Sequence, residues 1–196
     1  MKITGISFSY SPESMNLRGL YLMDKIIDFH NLLQINLPIC NANSPNGIVP
    51  IEVDELDAKI GDSDILVFAI PEYTGQYAAG FKNFIDWLVV KANYNASIGK
   101  GYSITDKPIY VITFTPADTG SGNRHFESTK ELLEKLGAKV KKMYVKNNCW
   151  ENLTPDNTSF VQSECREISQ QNLLNEVTKW TEQYKTWNEK WNIKIK

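Results

Sequence analysis

The stretch DILVFAIPEYTGQYAAGFKNFIDWLVV, residues 64–90, decides how the rest of the chain is read. Its first part, Ile65 to Ile70, is a continuous apolar run, partly β-branched, of the length of a buried strand. A Pro-Glu-Tyr-Thr-Gly turn follows at 71–75, and then the period changes. Phe81, Phe84, Ile85, Leu88 and Val89 fall at i, i+3, i+4, i+7 and i+8, the apolar stripe of an amphipathic helix. A strand, a short polar-aromatic loop and a helix are half of a βαβ unit. In open α/β sheets, ligands bind in the crevice beyond the carboxyl ends of the strands, and Tyr73 to Tyr77 fall there. On the helix, Phe81, Phe84, Trp87 and Leu88 read as core or subunit-interface residues, while Lys82, Asn83 and Asp86 read as holders of the loop and helix start.

Outward from this stretch the same alternation repeats. Residues 2–9, KITGISFS, form a first strand, and Leu17, Leu20, Tyr21, Met23, Ile26 and Ile27 keep helical phase after it. Between them lies SYSPESMN, rich in hydroxyls, with Ser14 at the N-cap or in the first turn. Such a loop is either a capped turn or a seat for a phosphate, which the free N–H groups and dipole of a helix start both favour. The segment LLQINLPI at 32–39 offers a short second strand, NANSPNG at 41–47 a loop, and Val53 to Ile60 a brief helix with Asp54 as its cap. Further on, KPIYVITFT at 107–115 is a strand with Pro108 confined to its start. PADTGSGN at 116–123 is a second polar loop, Phe126 to Leu136 a helix closed by Gly137, and Ala138 to Val145 a lysine-rich edge strand. Alternating strands and helices with no linker or repeat predict one α/β domain over 1–196, built on a doubly wound parallel sheet.

Composition narrows the function classes. The 196 residues are 42% hydrophobic and 22% charged, enough apolar material for a sizeable core. A net charge of −2 argues against a nucleic-acid binder or a binder of anionic membranes. Cys40, Cys149 and Cys165 are scattered and odd in number, which fits neither a disulfide framework nor a metal or redox dithiol site. No run reaches the ~18 apolar residues of a membrane span, and no signal-peptide pattern opens the chain, so a soluble cytoplasmic protein is expected. His30 and His125 form no catalytic constellation with one another or with a cysteine.

The C-terminal part differs. From Ser159 to about Lys190 there is neither Pro nor Gly, and Leu173, Val177, Trp180, Tyr184, Trp187 and Trp191 are spaced 4, 3, 4, 3, 4. A helix over 159–190 would reach ~48 Å at ~1.5 Å per residue, and its seam suits either the sheet or a partner subunit.

Three loops carry a family resemblance. PEYTGQYAAGFKNFIDWL at 71–88 matches P-E-Y-N-G-S…P-G-x-L-K-N-A-I-D-W at Pro71, Glu72, Tyr73, Gly75, Gly80, Lys82, Asn83, Ile85, Asp86 and Trp87. SYSPESMN matches G-S-x-R-x-x-S-x-N at Ser9, Ser14 and Asn16, and PADTGSGN stands where the pattern has its Gly-rich loop. Over roughly residues 1–145 the chain thus resembles the NAD(P)H-dependent FMN reductases of flavodoxin-like fold, a group with quinone- and azo-reducing members. The resemblance implies a five-stranded sheet of order 2-1-3-4-5, FMN as cofactor and NAD(P)H as co-substrate. It implies hydride transfer through the flavin to a small acceptor (a quinone, a flavin, or an azo or nitro compound), in a homodimer or homotetramer. Ser9, Ser11, Ser14 and Asn16 would face the flavin phosphate. Pro71, Glu72, Tyr73, Thr74, Gly75 and Gln76 would line the ring, and Thr115, Pro116 and Gly120 would close the other side. No side-chain nucleophile or base and no metal is required. The departures are Phe8 and Ser11, which replace Gly and Arg, and Thr74 and Gln76, which replace Asn and Ser. They motivate an alternative, a flavodoxin-like flavin-binding or electron-transfer module without its own NAD(P)H turnover.

Overall fold

The computed structural model describes residues 1–23, 28–31, 35–41, 49–96 and 101–149, together with 167, 171, 178 and 182. Five strands form one parallel sheet: β1 (Ile3–Ser7), β2 (Asp28–Asn31), β3 (Ile65–Ala69), β6 (Pro108–Phe114) and β7 (Lys139–Lys146). Their order across the sheet is β2-β1-β3-β6-β7. A two-stranded hairpin, β4 (Glu72–Tyr73) with β5 (Gln76–Tyr77), follows β3 directly. The helices are α1 (Met15–Tyr21), α2 (Ile51–Gly61), α3 (Ala79–Ala96) and α4 (Phe126–Lys135).

The α/β class expected from the alternating periods is borne out. β1 and β3 are buried along their whole length, as strands covered on both faces must be. Alternate residues face opposite ways. Ile6, Phe8, Leu66, Phe68 and Ile70 join Val53, Leu56 and Ile60 of α2, Phe81, Phe84 and Leu88 of α3, and Leu133 of α4 in one core. Helix α1 packs over β1, β3 and β6. There Gly19 lets the helix ride directly on the sheet, because a Cβ at that position would stand 2.2 Å from the Phe114 ring. Across the main core, Lys91 of α3 reaches Asp54 at 2.7 Å and Asp57 at 2.8 Å on α2. Burial alone would pull this lysine's pKa down, but the hydrogen bonds and charges of the two carboxylates outweigh it and raise it.

Two sequence readings shift. The second strand lies at Asp28–Asn31, ahead of the LLQINLPI segment, where Leu37 to Cys40 run without regular structure. Leu37 is buried, and Pro38 is held by α3: its carbonyl accepts from Asn83 Nδ2 at 2.9 Å and from Trp87 Nε1 at 2.7 Å. Of the apolar residues at 37–39, Leu37 is buried and Ile39 is exposed. Helix α2 begins at Ile51 with Pro50 at its N-cap, so Asp54 lies inside its first turn. Gly137 ends α4 as read: its φ is +82°, its N–H bonds the Glu134 carbonyl at 2.9 Å, and the Ala138 N–H bonds Leu133 at 3.1 Å.

The chain divides into two compact units, Met1–Thr158 and Ser159–Lys196. In the second, Glu167, Gln171, Thr178 and Glu182 are helical and exposed. The remainder of the expected 159–190 helix, with its Trp-rich seam and Cys165, lies outside the described residues. So do Ile26 and Ile27 of the first expected helix.

Candidate functional site

The carboxyl ends of β1, β3 and β6 open onto one hollow of about 190 Å³. Parallel strands deliver three loops to the same sheet edge, and the hollow is what those loops leave between them. Ser9, Ser11 and Ser14 line one side with Glu13, Met15 and Asn16; Pro71, Glu72 and Tyr73 line a second; Phe114, Thr115 and Pro116 line the third. Nine of the thirteen residues singled out in the sequence therefore meet in one place.

The first wall is held by its own hydroxyls. Ser9 Oγ accepts from the Ser11 N–H at 3.2 Å, and Ser11 Oγ from the Glu13 N–H at 3.3 Å. Ser14 is the N-cap of α1, with extended backbone and its Oγ accepting from the Leu17 N–H at 3.4 Å. Met15 and Asn16 stand at the end of that helix, where the first N–H groups have no intrahelical partner. Phe8, one residue earlier, is fully buried and turned away. Its ring meets Phe68, Phe81 and Phe84 at centroid distances of 5.1, 5.2 and 5.2 Å, so it takes no space from the hollow.

Asn16 has a specific partner distant in sequence. Its Nδ2 donates to the Phe114 carbonyl at 3.2 Å and its Oδ1 accepts from the Phe114 N–H at 3.0 Å. One buried amide thus satisfies both main-chain groups at the end of β6 and fixes the first wall to the third.

Glu72 does the same for the second wall. Its Oε2 accepts from the N–H groups of Gly122 at 2.9 Å and Arg124 at 2.8 Å. The turn beyond it has positive φ at both central residues, Thr74 at 52° and Gly75 at 76°, the type I′ signature of a two-residue hairpin. Thr74, Gly75 and Gln76 form the exposed lip and do not line the hollow; nor does Gly120, whose carbonyl accepts from Arg124 Nη2 at 3.2 Å. A β-branched residue with φ > 0 is strained, and asparagine is at ease there. Thr74→Asn is expected to raise stability by about 0.5–1 kcal/mol, read as a higher urea midpoint at unchanged m-value.

His125 lies beneath this loop, fully buried. Thr113 Oγ1 donates to the Ile70 carbonyl at 2.8 Å. Its single proton being spent, it accepts from His125 Nε2–H at 3.0 Å, which leaves Nδ1 to accept from Thr129 Oγ1 at 2.9 Å. Burial lowers the imidazole pKa from 6.5 to about 4, against the opposing pull of Glu72 and the Gly122 backbone. The ring is a neutral structural link. Sequence reading did not single out Glu13, Met15 and Phe114, although all three sit inside or next to the loops it chose. It also passed over Arg124, which carries no pattern beyond following a Gly-rich turn. Among the described residues no group of three or more His, Cys, Asp or Glu could hold a metal, and no helix is long and apolar enough to cross a membrane.

A parallel sheet of this order with a hydroxyl-rich first loop defines an α/β protein of flavodoxin-like architecture, with its site at the strand ends. The family model for NADPH-dependent FMN reductases matches residues 1–151. The chain belongs to that family, and is an oxidoreductase with FMN as cofactor and NAD(P)H as co-substrate. No protein with curated annotation matches it. Among solved structures it resembles FerB, a flavoenzyme NAD(P)H:(acceptor) oxidoreductase from Paracoccus denitrificans, with 24% identity, 74% of each chain covered and a TM-score of 0.57. It also resembles an NAD(P)H:quinone oxidoreductase from Methanothermobacter marburgensis (17% identity, 81% of this chain and 96% of that one, TM-score 0.58). A third is general stress protein 14 from Treponema denticola in complex with FMN (13%, 86% and 98%, TM-score 0.56). These likenesses support the fold. The donor set of the first wall, three hydroxyls and a helix start, is chemically suited to a phosphate ester.

Proposed function

We propose that the protein is a cytoplasmic, homo-oligomeric FMN-dependent oxidoreductase that passes hydride from NAD(P)H to a small acceptor such as a quinone, a flavin, or an azo or nitro compound. When bound, FMN supplies the hydride-accepting and hydride-donating chemistry. The observation that carries the reading is the meeting of Ser9, Ser11 and Ser14 with Pro71–Tyr73 and Thr115–Pro116 around one hollow, in a chain of this family.

The chain's own residues bind and orient. The hydroxyls of Ser9, Ser11 and Ser14 and the amide end of α1 would hold the phosphate. At about 190 Å³ the hollow is smaller than the roughly 300–1,000 Å³ of sites that enclose a whole ligand of drug size. It suits the phosphate end of FMN, and the hairpin beside it would offer contacts to the ring. There Tyr73, 58% exposed, offers an aromatic face, and the turn at Thr74, Gly75 and Gln76 offers main-chain polar groups. Thr115 and Pro116 form the facing wall, with Gly120 beyond it. Asn16 and Glu72 contribute by holding these walls in register. Ser11, in place of the pattern's arginine, leaves the phosphate to neutral donors.

The test is spectroscopic. Purified protein incubated with FMN and desalted is expected to keep the visible absorption of oxidised flavin. That absorption should bleach anaerobically on addition of NADPH and return on addition of a quinone. Protein that retains no flavin and oxidises no NAD(P)H would overturn the reading. A mass in solution equal to one 22.4 kDa chain would overturn the oligomer.

A further inference from the structure

A single arginine stands at the lip of the hollow, outside its lining. Two hydrogen bonds and the nearness of the hairpin turn place Arg124 there. Its N–H donates to Glu72 Oε2 at 2.8 Å, its Nη2 donates to the Gly120 carbonyl at 3.2 Å, and its Cδ lies beside the hairpin turn, 3.6 Å from where a Cβ on Gly75 would stand. The side chain is thus suspended between the tip of the β4–β5 hairpin and the 120–122 turn, and it is exposed. Among the described residues, no carboxylate lies within ion-pair distance of it. A guanidinium has five N–H donors. One is committed to a neutral carbonyl, so full charge and most of the donor capacity remain.

The surroundings give this cation its meaning. Among the described residues that line the hollow, two are acidic, Glu13 and Glu72, and none is basic. The chain as a whole carries a net charge of −2. The co-substrate of the proposed reaction is a dinucleotide with a pyrophosphate, and in NADPH a further 2′-phosphate. A mouth with only carboxylates would repel it on approach. Planar, bidentate recognition of phosphate is what a guanidinium does better than any other side chain.

We infer that Arg124 binds a phosphate group of the nicotinamide dinucleotide and is the residue by which the site recognises the anionic part of that co-substrate. The inference rests on the FMN-reductase reading above and goes beyond it in naming a residue outside the flavin loops.

The experiment compares FMN-loaded wild type with Arg124→Gln and Arg124→Lys. Affinities for NADP⁺ and NAD⁺ are measured by calorimetry at several salt concentrations, and Michaelis constants are measured for NADPH and for an uncharged quinone. For Arg124→Gln, the Kd for NADP⁺ and the KM for NADPH are expected to rise on the order of tenfold, with a shallower salt dependence. The KM for the quinone and kcat should stay within about twofold, and Arg124→Lys should recover part of the affinity as a point charge. A loss confined to NADP⁺ places the 2′-phosphate on Arg124, and an equal loss for NAD⁺ places the pyrophosphate there; both support the inference. Unchanged dinucleotide affinity, or an effect on the quinone KM instead, overturns it while wild-type turnover keeps the function reading intact. A wild type that takes up no FMN and oxidises no NADPH overturns both together.

Discussion

Between pH 6.5 and pH 4 the protein is expected to lose on the order of 3 kcal/mol of stability through His125 alone. The folded-state pKa is about 4 against 6.5 for the free side chain, so the unfolded chain takes up the proton first as the pH falls. Stability is therefore full above 6.5, declines through the interval, and loses nothing more from this group below about 4. Burial explains the size of the effect. Both ring nitrogens are also committed, Nε2–H to Thr113 and Nδ1 to the Thr129 hydroxyl, so a second proton on Nδ1 requires that hydroxyl to turn from donor to acceptor. Urea unfolding of wild type and His125→Gln at pH 7 and pH 5 isolates the residue from the carboxylates, which titrate in both proteins. Wild type is expected to lose about 2 kcal/mol more than the variant over that step. An unchanged difference between the two would refute the assignment.

Asn16→Ala is expected to cost about 3 kcal/mol even without cofactor. The substitution leaves the buried N–H and carbonyl of Phe114 without the amide that now serves both, and each unsatisfied buried group costs about 1–3 kcal/mol. The measurement is denaturant unfolding of the flavin-free protein. Were Asn16 to act only through a bound phosphate, the flavin-free variant would match wild type within about 0.5 kcal/mol. A loss of flavin affinity would accompany the destabilisation, because the same amide registers the Ser9–Ser14 wall against Thr115 and Pro116.

Much of this was legible in the sequence because it follows from period and punctuation. The Ile65–Ile70 run, the helix stripe from Phe81 and the Gly137 stop each depend on neighbours within one element, and each stands where its pattern put it. The loops at 9–16, 71–76 and 115–120 were legible as candidates because strand ends of a parallel sheet share one edge. What escaped depends on partners distant in sequence. LLQINLPI at 32–39 reads as a strand by composition, yet within it Asn83 and Trp87 take the Pro38 carbonyl and hold that part as a strap. Phe8 reads as a departure from the pattern's Gly beside the phosphate loop, yet three other phenylalanines receive its ring in the core. Asn16 and Glu72 read as ligand contacts, and nothing local reveals that their polar atoms are engaged by Phe114, Gly122 and Arg124.

The Asn16–Phe114 link also bears on how the molecule comes into being. The two residues are 98 positions apart, and the strand that carries Phe114 finds its place beside β3 only after a long crossover closes. Closing such a loop must precede the contacts that reward it, so pairings of this separation form late and slow the overall rate. The hollow lacks its third wall until that closure is complete. A nascent or truncated chain lacking residues 108–116 would have its serine loop and no site, so competence to receive a ligand arrives in one step with the completed sheet.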